Sequence, residues 1–245
     1  MIFEQTRENR DPEMKKCLSI LVLLYAIAVT GHSQQEVKRT IFGASAGISL
    51  PYNEFAVKKL IPHAGFASAG PNMEASLLRY TGRFFGLSSA IGYSNIFISE
   101  KDFLAEYNNL LNGYGENRIS AGNYQVLQGM LGLIFKVPEF RNTDILLMGH
   151  LGCALTVHPN INVTNSKLGV ISSIRKDRSF SPLSNAGIRI NHWLTGRYGL
   201  SLGYSVNLTR PSFTDETSIN GYFFLPVRYH NLNVGFVMNL SKTKR

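Results

Sequence analysis

Residues 198–209, YGLSLGYSVNLT, alternate at every step between a bulky apolar residue and a small or polar one. Tyr198, Leu200, Leu202, Tyr204, Val206 and Leu208 share one parity; Gly199, Ser201, Gly203, Ser205, Asn207 and Thr209 share the other. Successive side chains of a strand point to opposite faces of a sheet, so the pattern predicts a strand with one apolar and one polar face. Comparable segments are predicted at 40–50, 85–95, 124–137, 144–157, 183–191 and 231–240, with a poorly alternating one at 73–80. With 198–209 that makes eight strands.

The spacing between the strands is as informative as the strands. About 20 residues separate the first two, and long connections follow at 96–123, 158–180 and 210–223. Between them lie brief ones: Thr81-Gly82-Arg83, the PEFRNT segment after Val137, and NHWLTGR before Tyr198. Long and short alternate throughout, as in an up-and-down outer-membrane barrel with short turns at one end and long loops at the other. The predicted strands at 124–137 and 144–157 exceed the roughly 9–11 residues that a tilted transmembrane strand needs. A soluble β core built on Gly, Ser and Asn would pack poorly and strand polar groups. The apolar parity is therefore assigned to lipid and the small polar parity to the lumen. The expected fold is all-β: an eight-stranded antiparallel up-and-down transmembrane β-barrel.

Composition fits this assignment. Charged residues make up 17% of the 245, against roughly 25% in an average soluble protein, and there are 22 glycines. The mean hydropathy of -0.03 is far below that of a helical membrane protein but suits a barrel, half of whose strand residues are polar. The net charge of +9 comes from scattered basic residues, apart from Lys242, Lys244 and Arg245 at the end, so no nucleic-acid partner is read from it. Cys153, flanked on its own parity by Leu151 and Leu155, is read as a small apolar residue, buried or lipid-facing, and not as a nucleophile.

The amino terminus carries a different pattern. From Met14, Lys15 and Lys16 precede an apolar run from Leu18 to Val29, and Gly31 and Ser33 are small residues at the offsets a signal peptidase uses. The run is too short for the ~30 Å hydrocarbon core, which takes about 20 residues. Residues 1–33 are thus predicted as a cleavable signal peptide with its true start at Met14, and 34–245 as the barrel domain. The protein is expected to be exported to the outer membrane.

With the signal peptide, the loop alternation and the final strand NVGFVMNL in view, the chain resembles the small eight-stranded outer-membrane β-barrel family of Gram-negative bacteria, of the OmpA/OmpX and PorT-like kind, over roughly residues 36–240. That resemblance implies a carboxy-terminal assembly signal at Asn233, Gly235, Met238 and Leu240. It implies as partners outer-membrane lipid and lipopolysaccharide, the outer-membrane assembly machinery, and an extracellular or secretion-machine protein at the loops. Leu240 stands where the family prefers an aromatic residue.

Candidate chemistry is sparse. His150 and Asp144 share the inward parity but lie six residues apart, about 20 Å along a strand, too far to act as a pair. His158 opens a long loop near Ser166, Ser172 and Ser173 without the spacing of a nucleophile–base pair. No metal motif is present and no cofactor is expected. Lys136, Asp144 and Arg189 share the inward parity near the short-turn end and are predicted to meet inside the barrel, either as an ion-pair plug or as a gate for small ions. Phe103, Leu104, Tyr107, Leu110 and Leu111 recur at helical spacing in the second long loop and predict a short amphipathic helix. Phe84, Phe85, Trp193, Tyr198, Tyr222, Phe223 and Phe224 are assigned to interfacial aromatic girdles. The expectation is a non-enzymatic barrel with a structural or interaction role, a largely plugged lumen and long extracellular loops that bind. The alternatives are a PorT-like secretion accessory, a soluble lipocalin-like binder and a lipid-modifying enzyme.

Overall fold

The computed structural model describes residues 39–241 except 62, 113, 138–141 and 215–221. The predicted signal peptide and the basic tail lie outside the described residues. Eight strands form the wall: β1 (Thr40–Pro51), β2 (Gly70–Tyr80), β3 (Phe85–Ile98), β4 (Tyr124–Lys136), β5 (Thr143–His158), β6 (Asp177–Trp193), β7 (Tyr198–Thr209) and β8 (Val227–Asn239). Each pairs antiparallel with its sequence neighbour, and β8 pairs with β1, so the sheet closes on itself. Closure removes both sheet edges, whose backbone groups would otherwise need partners.

The parity read from the sequence is the parity of the wall. On β7 the Gly/Ser/Asn/Thr set faces inward, with Asn207 fully buried, while the Tyr/Leu/Val set faces outward. The outward belt is openly apolar: Met73, Ile91, Leu133 and Val234 are each at least 60% exposed. β2, which alternates poorly in apolar character, nevertheless alternates in burial, with Asn72, Ser76, Leu78 and Tyr80 buried. Its Glu74 and Ser76 follow the inward polar set; Leu78 and Tyr80 on the inward face and Arg79 on the outward one are what disguised the strand. β6 starts at Asp177, earlier than the predicted 183, because Ser179 and Ser181 continue its inward face beyond Pro182.

Two kinds of connection divide the barrel into unlike ends. The short-turn end is tied locally: Thr81 and Leu194 donate their amides to the carbonyls of Phe85 and Tyr198. The long-loop end carries structure of its own. A helix, α1 (Glu100–Leu110), follows β3 as the Phe/Tyr/Leu spacing predicts. Three short strands, Asn117–Ala121, Ile161–Asn165 and Gly169–Ile174, make a separate antiparallel sheet. A small ladder joins Ser212–Thr214 to Tyr222–Phe224.

Candidate functional site

Inward residues at one height of several strands make layers of side-chain contacts in the lumen. At the short-turn end Asp144 is the centre. Its Oδ1 lies 2.9 Å from Lys136 Nζ, and its Oδ2 accepts a hydrogen bond from Trp193 Nε1 at 2.8 Å and faces Arg39 Nη1 at 3.4 Å. The Arg39 guanidinium stacks 4.0 Å from the Trp193 ring. Ile41, Leu78, Tyr80, Ile134, Leu146, Met148 and Val237 enclose this group in an apolar collar. A carboxylate so enclosed needs its charge and lone pairs met, and three donors from β4, β6 and the residue preceding β1 meet them.

Arg189 does not join this centre, contrary to the expectation that it would meet Lys136 and Asp144. It is Asn191, two residues on, that lies opposite Asp144 in the β5–β6 register, while Arg189 lies opposite Leu146, about 6–7 Å higher along the strand. From there its guanidinium crosses the lumen to β2, pairing with Glu74 and donating to Ser76 Oγ at 2.7 Å. Gly43 of β1 leaves room for it: a Cβ there would meet Ser76 Oγ at 2.9 Å and the guanidinium at 3.6 Å. Sequence reading missed Glu74, Arg39 and Trp193. Glu74 has the inward parity of Ser76 and Tyr80, which was the available signal. Trp193, assigned to a girdle, has the parity of Arg189 and Asn191 and points in.

Above the ion pairs lies a neutral polar layer. Asn231 Oδ1 accepts from Ser49 at 2.7 Å and from Asn72 at 3.3 Å, and Ser49 is 3.1 Å from Ser94. The Tyr229 hydroxyl donates to Gln128 Oε1 at 2.9 Å. Gly92 makes space for that glutamine, since a Cβ would sit 2.5 Å from its Nε2. His150 Nδ1 is 2.9 Å from Asn185 Oδ1, whose own amide donates to Asn207. With its partner oxygen an acceptor, Nδ1 carries the proton. His150 is thus held by asparagines, away from Asp144.

The long-loop end closes over an apolar cluster. Phe55 from the first loop and Phe213 from the last are fully buried there, with Phe66, Tyr124, Val126, Leu225 and Val227. Phe66 holds φ +49, a left-handed backbone that a bulky residue adopts only when its surroundings compel it. Its amide donates to Val57 O, its carbonyl accepts from Ser99, and its ring packs 4.6 Å from Phe103 of α1. Phe103 thereby pins α1 to the rim, and Lys58 pairs with Asp102 at 2.6 Å. That ammonium, then the Ser99 hydroxyl, hold the Asp102 carboxyl below its usual range.

His158 is buried in the same region against Tyr124, Phe213 and Phe223, with Nδ1 2.8 Å from Pro159 O. Two of the nearby serines bond elsewhere: Ser166 Oγ accepts from the Glu116 amide and Ser173 donates to Asn162. Phe223 packs on this interior cluster and so departs from the girdle assigned to it, whereas Phe85 and Tyr198 do face outward at the short-turn end. Of the residues assigned to an assembly signal, Asn233 and Gly235 face the lumen and Met238 the outside. All three belong to β8, the strand that completes closure through pairs such as Gly47↔Asn233 and Ser45↔Gly235. Leu240 follows that strand, and its amide donates to Thr40 O at 2.8 Å.

No protein-family model matches the chain, and no curated protein matches it. Solved structures resemble its fold. They include a major outer membrane protein from Thermus thermophilus, at 11% identity and TM-score 0.48 over 82% of this chain and 99% of that one. Neisserial surface protein A aligns at 14% identity and TM-score 0.42, over 84% of this chain and 100% of that one. OprG from Pseudomonas aeruginosa aligns at 11% identity and 0.42, over 84% and 98%. The outer membrane protease OmpT of Escherichia coli is also among them, at 8% identity and 0.41 over 86% and 99%. The likeness is one of architecture. What the chain does is argued from its own lumen and surface.

Proposed function

We propose that the chain is a non-enzymatic integral outer-membrane β-barrel protein that works through its long loops, with a lumen filled by its own side chains. The observation that carries this reading is the inverted dyad of the wall: leucines, isoleucines and valines outside, ion pairs and asparagines inside. A water-soluble protein exposing so continuous an apolar belt would associate through it. In lipid the same belt is solvated, and the closed sheet gives every wall strand a neighbour on both sides. Within that class the last strand and the alternating loops support an affinity with OmpA/OmpX and PorT-like barrels. Residues 1–33 serve as the export signal, and Asn233, Gly235, Met238 and Leu240 as the mark read by the assembly machinery.

The filled lumen follows from width: eight strands enclose little more than their own side chains. The Asp144 group, the Arg189–Glu74 pair and the Phe55/Phe213 cluster obstruct it at three heights. A non-enzymatic role is supported by the bonding of the two interior histidines to asparagine and to a backbone carbonyl. The loop sheet is the surface offered to lipopolysaccharide or to a protein outside. The test is fractionation and migration. The protein is expected in the membrane pellet, released by detergent, with faster migration unheated than boiled; recovery in the soluble fraction without detergent would overturn the reading.

A further inference from the structure

The outer wall has a step in it near the long-loop end. The β6–β7 ladder starts at Leu183↔Thr209, whereas residues 177–182 of β6 pair with β5 alone, from Asp177↔His158 to Pro182↔Cys153. Two residues make the step. Pro182 has no N–H to give a further ladder bond. Thr209 instead donates its hydroxyl to Pro182 O at 2.8 Å, and beyond Arg210 the chain leaves the wall to bury Phe213.

What remains is a groove of about 530 Å³ lined on its floor by Leu151, Pro182 and Leu208, outward residues of three adjacent strands. Its rim carries Arg210, Arg228 and Tyr52. Arg228 is half-exposed and shares its charge with exposed Glu54 at 3.1 Å. Arg210 lies 5.0 Å from the Phe224 ring, and no carboxylate among the described residues pairs with it. Beside the rim, Tyr52 stacks on His230 at 4.3 Å, and His230 accepts or donates a 2.7 Å bond with Tyr204. Leu151 and Leu208 belong to the outward apolar sets of β5 and β7, so the floor is continuous with the apolar belt, and Arg210, two residues beyond Leu208, stands on its long-loop side.

We propose that this groove binds a membrane lipid with a phosphorylated head group, its phosphate taken by Arg210 and Arg228 and one acyl chain lying on Leu151, Pro182 and Leu208. This rests on the reading that the barrel spans the membrane. Two guanidiniums on one rim match the several oxygens of a phosphate, which planar forks grip better than point charges do. The apolar floor, continuous with the lipid-facing belt, has nothing to offer a free phosphate. A neutral head group would offer Arg210 no anion.

The test is native mass spectrometry of the full-length protein in detergent micelles with bis-phosphorylated lipid A as the probe and dephosphorylated lipid A as its comparison. The wild type is expected to retain the phosphorylated probe at least tenfold more tightly. Arg210→Gln with Arg228→Gln is expected to lose roughly tenfold per arginine, Leu151→Trp to weaken retention by filling the floor, and Lys167→Gln with Lys176→Gln to change nothing. Equal retention of both lipids, or unchanged retention by the double arginine variant, would overturn the proposal. Displacement by inorganic phosphate would also overturn it, assigning the rim to a free anion. Heat-modifiable migration of each variant separates the premises. A wild type that lacks it refutes the membrane-spanning reading, and a heat-modifiable wild type that retains no lipid refutes the groove alone.

Discussion

Arg189 and Asp144 show how a narrow lumen uses charge. Each is buried with its own set of partners, and stripping away the opposite charge would leave a bare one in a poorly hydrated interior. Arg189→Met is expected to destabilise the barrel by about 3–5 kcal/mol through the abandoned Glu74, read as a lowered urea midpoint in liposomes. Adding Glu74→Met is expected to restore most of that loss. A double variant as unstable as the single one would show that the pair contributes by packing and not by mutual neutralisation. Lys136 and Asp144 could be paired on paper because both have inward parity beside one short turn. Glu74 could not: parity says that a side chain enters the lumen, but its partner across the barrel depends on the stagger of strands distant in sequence.

Among the elements, β8 has the most constrained task, since it must meet β7 on one side and β1 on the other. Gly235 permits this: a Cβ would come within 2.4 Å of Ala44 O and 2.5 Å of Ser45 Cβ. Gly235→Val is expected to reduce the heat-modifiable fraction sharply, and an undiminished fraction would mean that β1 can yield at that height. On the same strand Val234→Arg turns a charge to lipid and is expected to cost about 2–4 kcal/mol if it lies near the bilayer midplane, measured by urea unfolding in vesicles. The helix α1 is held differently, by Phe103 and by the Lys58–Asp102 pair on the surface. Because the folded carboxyl is lowered, its contribution is present above the unfolded value of about 3.9 and is lost as the pH falls through the lowered one. Amide exchange in α1 is therefore expected to quicken, relative to the intrinsic rate, on acidification in the wild type. In Asp102→Asn it is expected to lack that acid step.

For the whole molecule the proposed filled lumen predicts no steady channel in planar bilayers, and large lasting conductance steps would contradict it. The wall was legible in the sequence because a strand has a period of two and its two faces carry different residues, apolar outside and mostly small or polar inside, where a narrow lumen has no room for rows of leucine. That contrast, with the alternation of long and short connections, determined the strand count, the parity of the faces and the up-and-down order. Parity alone could also have turned Trp193 inward and brought Glu74 into the lumen. Tertiary structure decided the rest. Which inward groups meet is set by the stagger of strands around a closed sheet, so Arg189 passes over Asp144 and reaches β2. How the barrel is capped depends on loops without periodicity, whose Phe55, Phe66 and Phe213 find the interior only once the wall exists. The groove beside Pro182 arises where two strands end at different heights. No local pattern records that difference, because it is a relation between chain segments brought side by side only by closure.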